Sequence, residues 1–193
     1  MKKRTKWLVW LLVVVAVLGV AAYGSLHVYR LMVSNVVPVG DSNLVFLRSR
    51  ISVDSLVSLL DERAEIASPR QLRQHARMMK IDSVPAGCYK LVDEGDRSLL
   101  HRFAGGWQEP VHITFNNVRT PNQLAARLAA QLLCDSASFA AIFADSAVLS
   151  TYGVDCANLF FLFIPNTYEV YWTITPDQLL SRMKRECNDF WTD

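Results

Sequence analysis

Histidine and cysteine are scarce in this sequence, and neither is spaced to hold a metal. The 193 residues contain four of each. No Cys-x-x-Cys and no His-x3-His occurs, the spacings that bring ligands together on one turn or helix face. His27, His75, His101 and His112 fall on different predicted elements, so neither a metal nor another cofactor is expected. A G-x-S-x-G elbow, which would present a serine nucleophile, is absent. No glycine-rich loop opens a helix to cradle phosphate, since Gly105-Gly106 follows a helix instead. Charge of one sign is lacking as well. Twenty Lys and Arg against 18 Asp and Glu leave a net charge of +2, and the bases are not gathered on one predicted face beyond residue 30. That argues against nucleic acid as the main partner. Cys88, Cys134, Cys156 and Cys187 read as small core residues, and their spacing leaves open whether any of them pair.

What the sequence does have begins at its N-terminus. Residues 1–6 carry Lys2, Lys3, Arg4 and Lys6, and residues 7–26 carry no charge. About 20 apolar residues make a helix of about 30 Å, the thickness of a bilayer core. Trp7 and Trp10 at one end and Tyr23 and Tyr29 near the other suit the two interfaces. A retained transmembrane helix is the expectation. A cleaved signal peptide is the alternative, with Val20-Ala21-Ala22 as its cleavage site. Bases before the span place the N-terminus in the cytoplasm and the remainder outside the inner (cytoplasmic) membrane. Residues 27–42, with Ser, Asn, Pro and Gly toward their end, read as a tether.

Residues 43–47 then read as a strand. Ser52 caps a helix carrying Val53, Leu56, Leu59 and Leu60, and Ser68-Pro69 caps a second through Leu72, Ala76 and Met79. Pro85-Ala-Gly-Cys-Tyr-Lys-Leu91 is a turn leading into a strand. This order across residues 43–92 describes a small α+β module. Next come a short helix over 96–103 and a strand alternating Val111, Ile113 and Phe115 with His112 and Thr114. Thr120-Pro121 caps an alanine-rich helix through Leu124, Leu128 and Leu132, and two shorter helices follow over 135–144 and 146–152. No low-complexity segment or long linker interrupts residues 43–193.

The most specific stretch is Ala157-Asn-Leu-Phe-Phe-Leu-Phe-Ile-Pro-Asn-Thr-Tyr-Glu-Val-Tyr-Trp172. Residues 159–164 read as a strand buried on both faces, broken by Pro165-Asn166. Tyr168, Val170 and Trp172 alternate with Glu169, Tyr171 and Thr173 as a second strand, making a hairpin. Thr175-Pro176 opens a last helix with Leu179, Leu180, Met183 and Cys187 on one face. If the chain ends at Asp193, the hairpin over 160–172 is expected to leave a broad aromatic face without cover. Carboxylates are the remaining chemical candidates. Glu169, flanked by aromatics, would suit a general acid if buried, yet it also fits the solvent-facing member of an alternating strand. Asp177 complements a helix dipole, and Glu186, Asp189 and Asp193 look solvated. Spacing alone assembles no active site.

Four features together resemble the YceG-like family of membrane-anchored endolytic murein transglycosylases. They are the basic-flanked N-terminal span, Pro85-Ala-Gly-Cys-Tyr-Lys-Leu91, and Ser98-Leu-Leu followed by Gly105-Gly106, Val111-His-Ile-Thr-Phe115 and the Thr120-to-Leu133 helix. The fourth is Phe163-Ile-Pro-Asn-Thr-Tyr-Glu-Val-Tyr-Trp172, close to the family's F-x-P-[DN]-T-Y element. The resemblance implies a LysM-like βααβ module at 43–92 and the start of a mixed α/β catalytic domain at 93–193, an α+β chain behind its transmembrane helix. It implies cleavage of nascent peptidoglycan strands to 1,6-anhydromuramoyl ends, terminating their elongation. Peptidoglycan, the membrane and cell-wall synthesis proteins are the partners it implies, with Asn166, Thr167 and Tyr168 lining the substrate cleft. The family's catalytic glutamate lies in an S-I-[VI]-x-[KE]-E-T-like helix after the P-[DN]-T-Y element. No such segment occurs between Trp172 and Asp193, so no residue here is assigned that role. The chain is expected to be the N-terminal portion of a longer one, or a short product without the acid. A non-catalytic peptidoglycan-binding or scaffold protein is the alternative.

Overall fold

The computed structural model describes residues 2–32, 34–38, 43–66 and 68–192. In chain order these form α1 (Lys2–Met32), β1 (Ser34–Pro38), β2 (Leu44–Leu47), β3 (Ile51–Ser52), α2 (Val53–Arg63) and β4 (Ala64–Ile66). Then follow α3 (Pro69–Met78), β5 (Ser83–Val84), β6 (Gly87–Lys90), β7 (Glu94–Gly95), α4 (Asp96–Ala104) and β8 (Pro110–Thr114). The chain continues through α5 (Pro121–Ala129), α6 (Ser136–Ala144), α7 (Ser146–Thr151), a 3-10 turn (Leu159–Leu162), β9 (Thr167–Tyr171) and α8 (Pro176–Thr192). The class is α+β, with helices packed on small antiparallel sheets. Two compact units share the chain. One comprises Met1–Asn43, Ile51–Val84 and Leu91–Gly106, the other Leu44–Arg50, Pro85–Lys90 and Trp107–Asp193.

In the first unit the caps read from sequence are made. Ser52 Oγ accepts from Ser55 N at 3.1 Å, and Ser68 Oγ accepts from Gln71 N at 3.4 Å ahead of Pro69. Each such cap satisfies one N–H that the first helical turn leaves over, worth about 1 kcal/mol. Behind the caps, Leu56, Val57, Leu60, Leu72, Ala76, Leu99, Leu100 and Phe103 are buried. Gly106, at φ +67°, supplies the left-handed residue after α4. One pair was invisible in the sequence. His75 on α3 and Asp96 at the start of α4 are both buried, with Nδ1 and Oδ2 2.6 Å apart.

Two expectations change in this unit. Ser34–Pro38, within the supposed tether, is the central strand of an antiparallel sheet ordered β4-β1-β7. Val36, fully buried opposite Ile66, provides the β-branched anchor that outweighs the neighbouring turn-forming residues. Among the described residues, no helix is long and apolar enough to cross a membrane. The structure therefore does not support the membrane-spanning part of the expected architecture, although α1 is helical and Trp7, Trp10, Leu12, Val20 and Tyr23 on it are exposed.

In the second unit β2 and β6 form an antiparallel ribbon, Leu44 opposite Lys90 through Leu47 opposite Gly87. The sequence groups these strands with the helices between them, whereas the ribbon's contacts place it here. Phe46 meets Trp172 edge-on at 5.0 Å, and Glu109 N donates to Cys88 O at 2.8 Å. Gly87 packs closely, because a Cβ there would come within 2.7 Å of Gln108 Cγ and that side chain would have to shift. β8 pairs antiparallel with β9, Pro110 opposite Tyr171 through Thr114 opposite Thr167. Helices α5 to α8 supply the rest of one apolar core, which includes Ile113, Phe115, Leu124, Phe139, Phe143, Tyr168, Val170 and Met183.

The expected hairpin over 159–172 does not form. Residues 159–164 hold a 3-10 turn rather than a strand, and the partner of β9 is β8. Leu159 and Leu162 are buried while Phe161 is 73% exposed, the three-residue period of a 3-10 helix and not the continuous burial of an inner strand. Asp155 starts it by accepting from Ala157 N and Asn158 N, at 2.8 and 2.9 Å. The supposedly uncovered face is covered too. Tyr168, Val170 and Trp172 are each 93% or more buried.

Candidate functional site: an arginine-lined cleft beside β9 and α8

The cleft follows from two local periodicities. Along β9, Tyr168 and Val170 turn into the core, so Glu169 and Tyr171 turn out. Thr175 then starts α8 with a reciprocal cap: its Oγ1 accepts from Gln178 N at 3.3 Å, and Gln178 Oε1 accepts from Thr175 N at 3.1 Å. Leu179, Leu180 and Met183 face the core. Gln178, Arg182 and Arg185 occupy another stripe of the same helix, spaced four and three residues apart. Glu169, Tyr171, Thr173, Gln178, Arg182 and Arg185 together line an open cleft of about 650 Å³.

Its charges are only partly matched. Glu169 Oε1 lies 3.1 Å from Nε2 of His112, directly opposite it in the ladder, and both side chains are about two-thirds exposed. Arg182 pairs with Glu186 at 2.6 Å, four residues on, while its Nε is buried without a hydrogen-bond partner among the described residues. Arg185 is exposed and makes no ion pair among the described residues. Gln108 Nε2 donates to Thr173 Oγ1 at 3.0 Å, fixing that hydroxyl at the cleft wall. Glu169 is thus a solvated partner of an imidazole, without the apolar enclosure that marks a general acid.

Asn166 and Thr167 are exposed just before and at the start of β9, with Asn166 Oδ1 accepting from Thr167 N at 2.8 Å. Tyr168 is buried, stacked on Phe115 at 5.4 Å, and donates its hydroxyl to Ile164 O at 2.8 Å. Burial, and after it the nearby Glu186 and Cys187, raise its phenol above the usual tyrosine value. None of the three lines the cleft. Cys88 is no nucleophile, because burial, and then the charge of Glu109, push its thiol up to about 11. Among the described residues no group of three or more His, Cys, Asp or Glu side chains could hold a metal. Tyr171, Gln178, Arg182 and Arg185 escaped the sequence reading. Their signal was the second stripe of α8, visible once the core stripe is drawn.

The family model for YceG-like proteins matches residues 45–193, a span that includes the whole second unit except Leu44. The chain belongs to the YceG-like family. A solved structure of a yceG-like protein from Listeria monocytogenes is similar at 14% identity and a TM-score of 0.36, covering 77% of this chain. The chain spans 55% of that protein's length. No curated protein matches the sequence.

Proposed function

We propose that this YceG-like chain works on peptidoglycan, as the strand-gripping part of an endolytic lytic transglycosylase that cuts nascent glycan to 1,6-anhydromuramoyl ends. Family membership across 45–193 carries this reading. The cleft suits it, since an exposed tyrosine, amide and hydroxyl groups and cationic side chains are what a polar, acid-bearing sugar chain needs. The reaction also needs a glutamic acid to protonate the glycosidic oxygen while the sugar's own 6-hydroxyl attacks. That role is given to none of these residues, and Asn166 and Thr167, exposed at the head of β9, are the additional glycan contacts. The specific test is co-sedimentation of the full chain with purified peptidoglycan, followed by mass spectrometry of the released muropeptides. Retention without 1,6-anhydro products is expected. Absence of retention at low salt contradicts the glycan reading, and release of 1,6-anhydro ends contradicts the assignment of no acid.

In this reading the chain sits at the inner membrane, held by residues 7–26, with residues 43–193 on the outer side and cell-wall synthesis proteins as neighbours. The charge-free run of residues 7–26 and the bases before it support this. Alkaline carbonate should leave the chain in the membrane fraction, and protease added to spheroplasts should digest residues 43–193. Release by carbonate would contradict the anchor.

A further inference from the structure

We infer that the cleft beside β9 and α8 is a subsite for an amino-sugar unit carrying an acidic peptide, with the sugar on Tyr171 and the carboxylate on Arg182 and Arg185. The inference rests on the peptidoglycan reading above and adds to it which part of the ligand these residues select. Tyr171 is 58% exposed at the cleft wall, so its ring offers a flat apolar face with a polar edge, the pattern that suits a sugar ring. Its neighbour across the cleft is the polar stripe of α8. Guanidinium groups recognise carboxylates through paired N–H donors. Arg185 has its full fork free of ion pairs among the described residues, and Arg182 spends one terminal nitrogen on Glu186 and leaves Nε without an acceptor.

The direction of the ligand follows from charge. Glu169, whose Oε1 meets the His112 imidazole, would repel a carboxylate at the β9 wall. An acid group is therefore drawn to the α8 wall, leaving the neutral ring for Tyr171. Gln178 and Thr173 lie between these two demands with amide and hydroxyl groups suited to sugar hydroxyls or an N-acetyl group. The same polar residues would gain nothing over water from an uncharged aliphatic ligand. A neutral sugar chain would use the tyrosine without the arginines.

The test measures binding of the full chain to a muropeptide, a disaccharide with its acidic peptide stem, and to a neutral N-acetylglucosamine oligosaccharide of similar length. The muropeptide is expected to bind roughly 10-fold or more tightly than the neutral sugar, the ratio corresponding to a charge-assisted contact. Arg185→Gln should erase most of that ratio while leaving the neutral sugar unchanged, and Tyr171→Ala should weaken both ligands. Both positions are exposed, so folding is preserved, and an unchanged circular dichroism spectrum and melting temperature establish it. Equal affinity of the parent chain for the two ligands, or an unchanged ratio in Arg185→Gln, overturns the inference. If such a chain is still retained on whole peptidoglycan, the broader reading stands. If the parent chain is not retained at all, both fall together.

Discussion

Replacing Asp96 with alanine is expected to destabilise the first unit by about 1–3 kcal/mol, the usual cost of leaving a buried hydrogen-bonding group without its partner. Asp96 is fully buried and His75 is 3% exposed, and their Nδ1 and Oδ2 atoms are 2.6 Å apart. The pair joins α3 to α4 across 21 residues of sequence. Asp96 also sits in the first turn of α4, where its charge meets the positive end of the helix dipole and where Gly95 provides no side-chain cap. Removing it leaves a buried imidazole facing a cavity. Removing both groups is different, since His75→Leu with Asp96→Ala leaves neither member of the pair facing the loss of the other. The double variant should therefore lose less than Asp96→Ala alone, a non-additivity expected only of residues in contact. Urea unfolding, with hydrogen exchange on the α3 and α4 amides, measures both. A loss under about 1 kcal/mol in the single variant would show that the pair is not a structural pin.

Phe163→Ala is expected to cost the second unit about 3–5 kcal/mol, as deletion of a buried aromatic does. Phe163 follows the 3-10 turn and meets Phe115 edge-on at 5.3 Å and Phe143 edge-on at 5.8 Å. It ties β8, α6 and the entry to β9 to one another. Phe161→Ala, two residues earlier, should stay within about 0.5 kcal/mol because that ring is exposed. The contrast is diagnostic. In a strand buried on both faces the two phenylalanines would cost alike, whereas the 3-10 turn turns only one inward. Comparable losses in urea unfolding would contradict the turn and revive the strand.

Local chemistry was legible where it depends on neighbours in sequence. Ser52, Ser68, Thr120 and Thr175 all cap the helices they announce, each accepting from an N–H three residues on. The alternation of Tyr168, Val170 and Trp172 correctly gave the inward face of β9. What failed was pairing at a distance. An apolar run of six residues has no period that separates a buried strand from a short helix, and residues 159–164 went the wrong way for that reason. His75 and Asp96 carry no mutual signal, since nothing in either segment specifies which buried partner it meets. The β2–β6 ribbon shows the same limit. Its strands were located, yet the compact unit they join is set by Phe46 on Trp172 and by Gly87 against Gln108, contacts that link residues far apart in the chain. The cleft was missed because charged residues on a helix ordinarily mean solvent. Only the facing wall of Glu169 and Tyr171 turns Arg182 and Arg185 into lining.

The most direct measurement is hydrogen–deuterium exchange of the full chain with and without soluble muropeptides. Binding at the cleft predicts slower exchange in residues 167–173 and 176–185, with residues 53–104 unchanged. Unchanged exchange across β9 and α8 at saturating ligand, or slowing confined to the first unit, would contradict it.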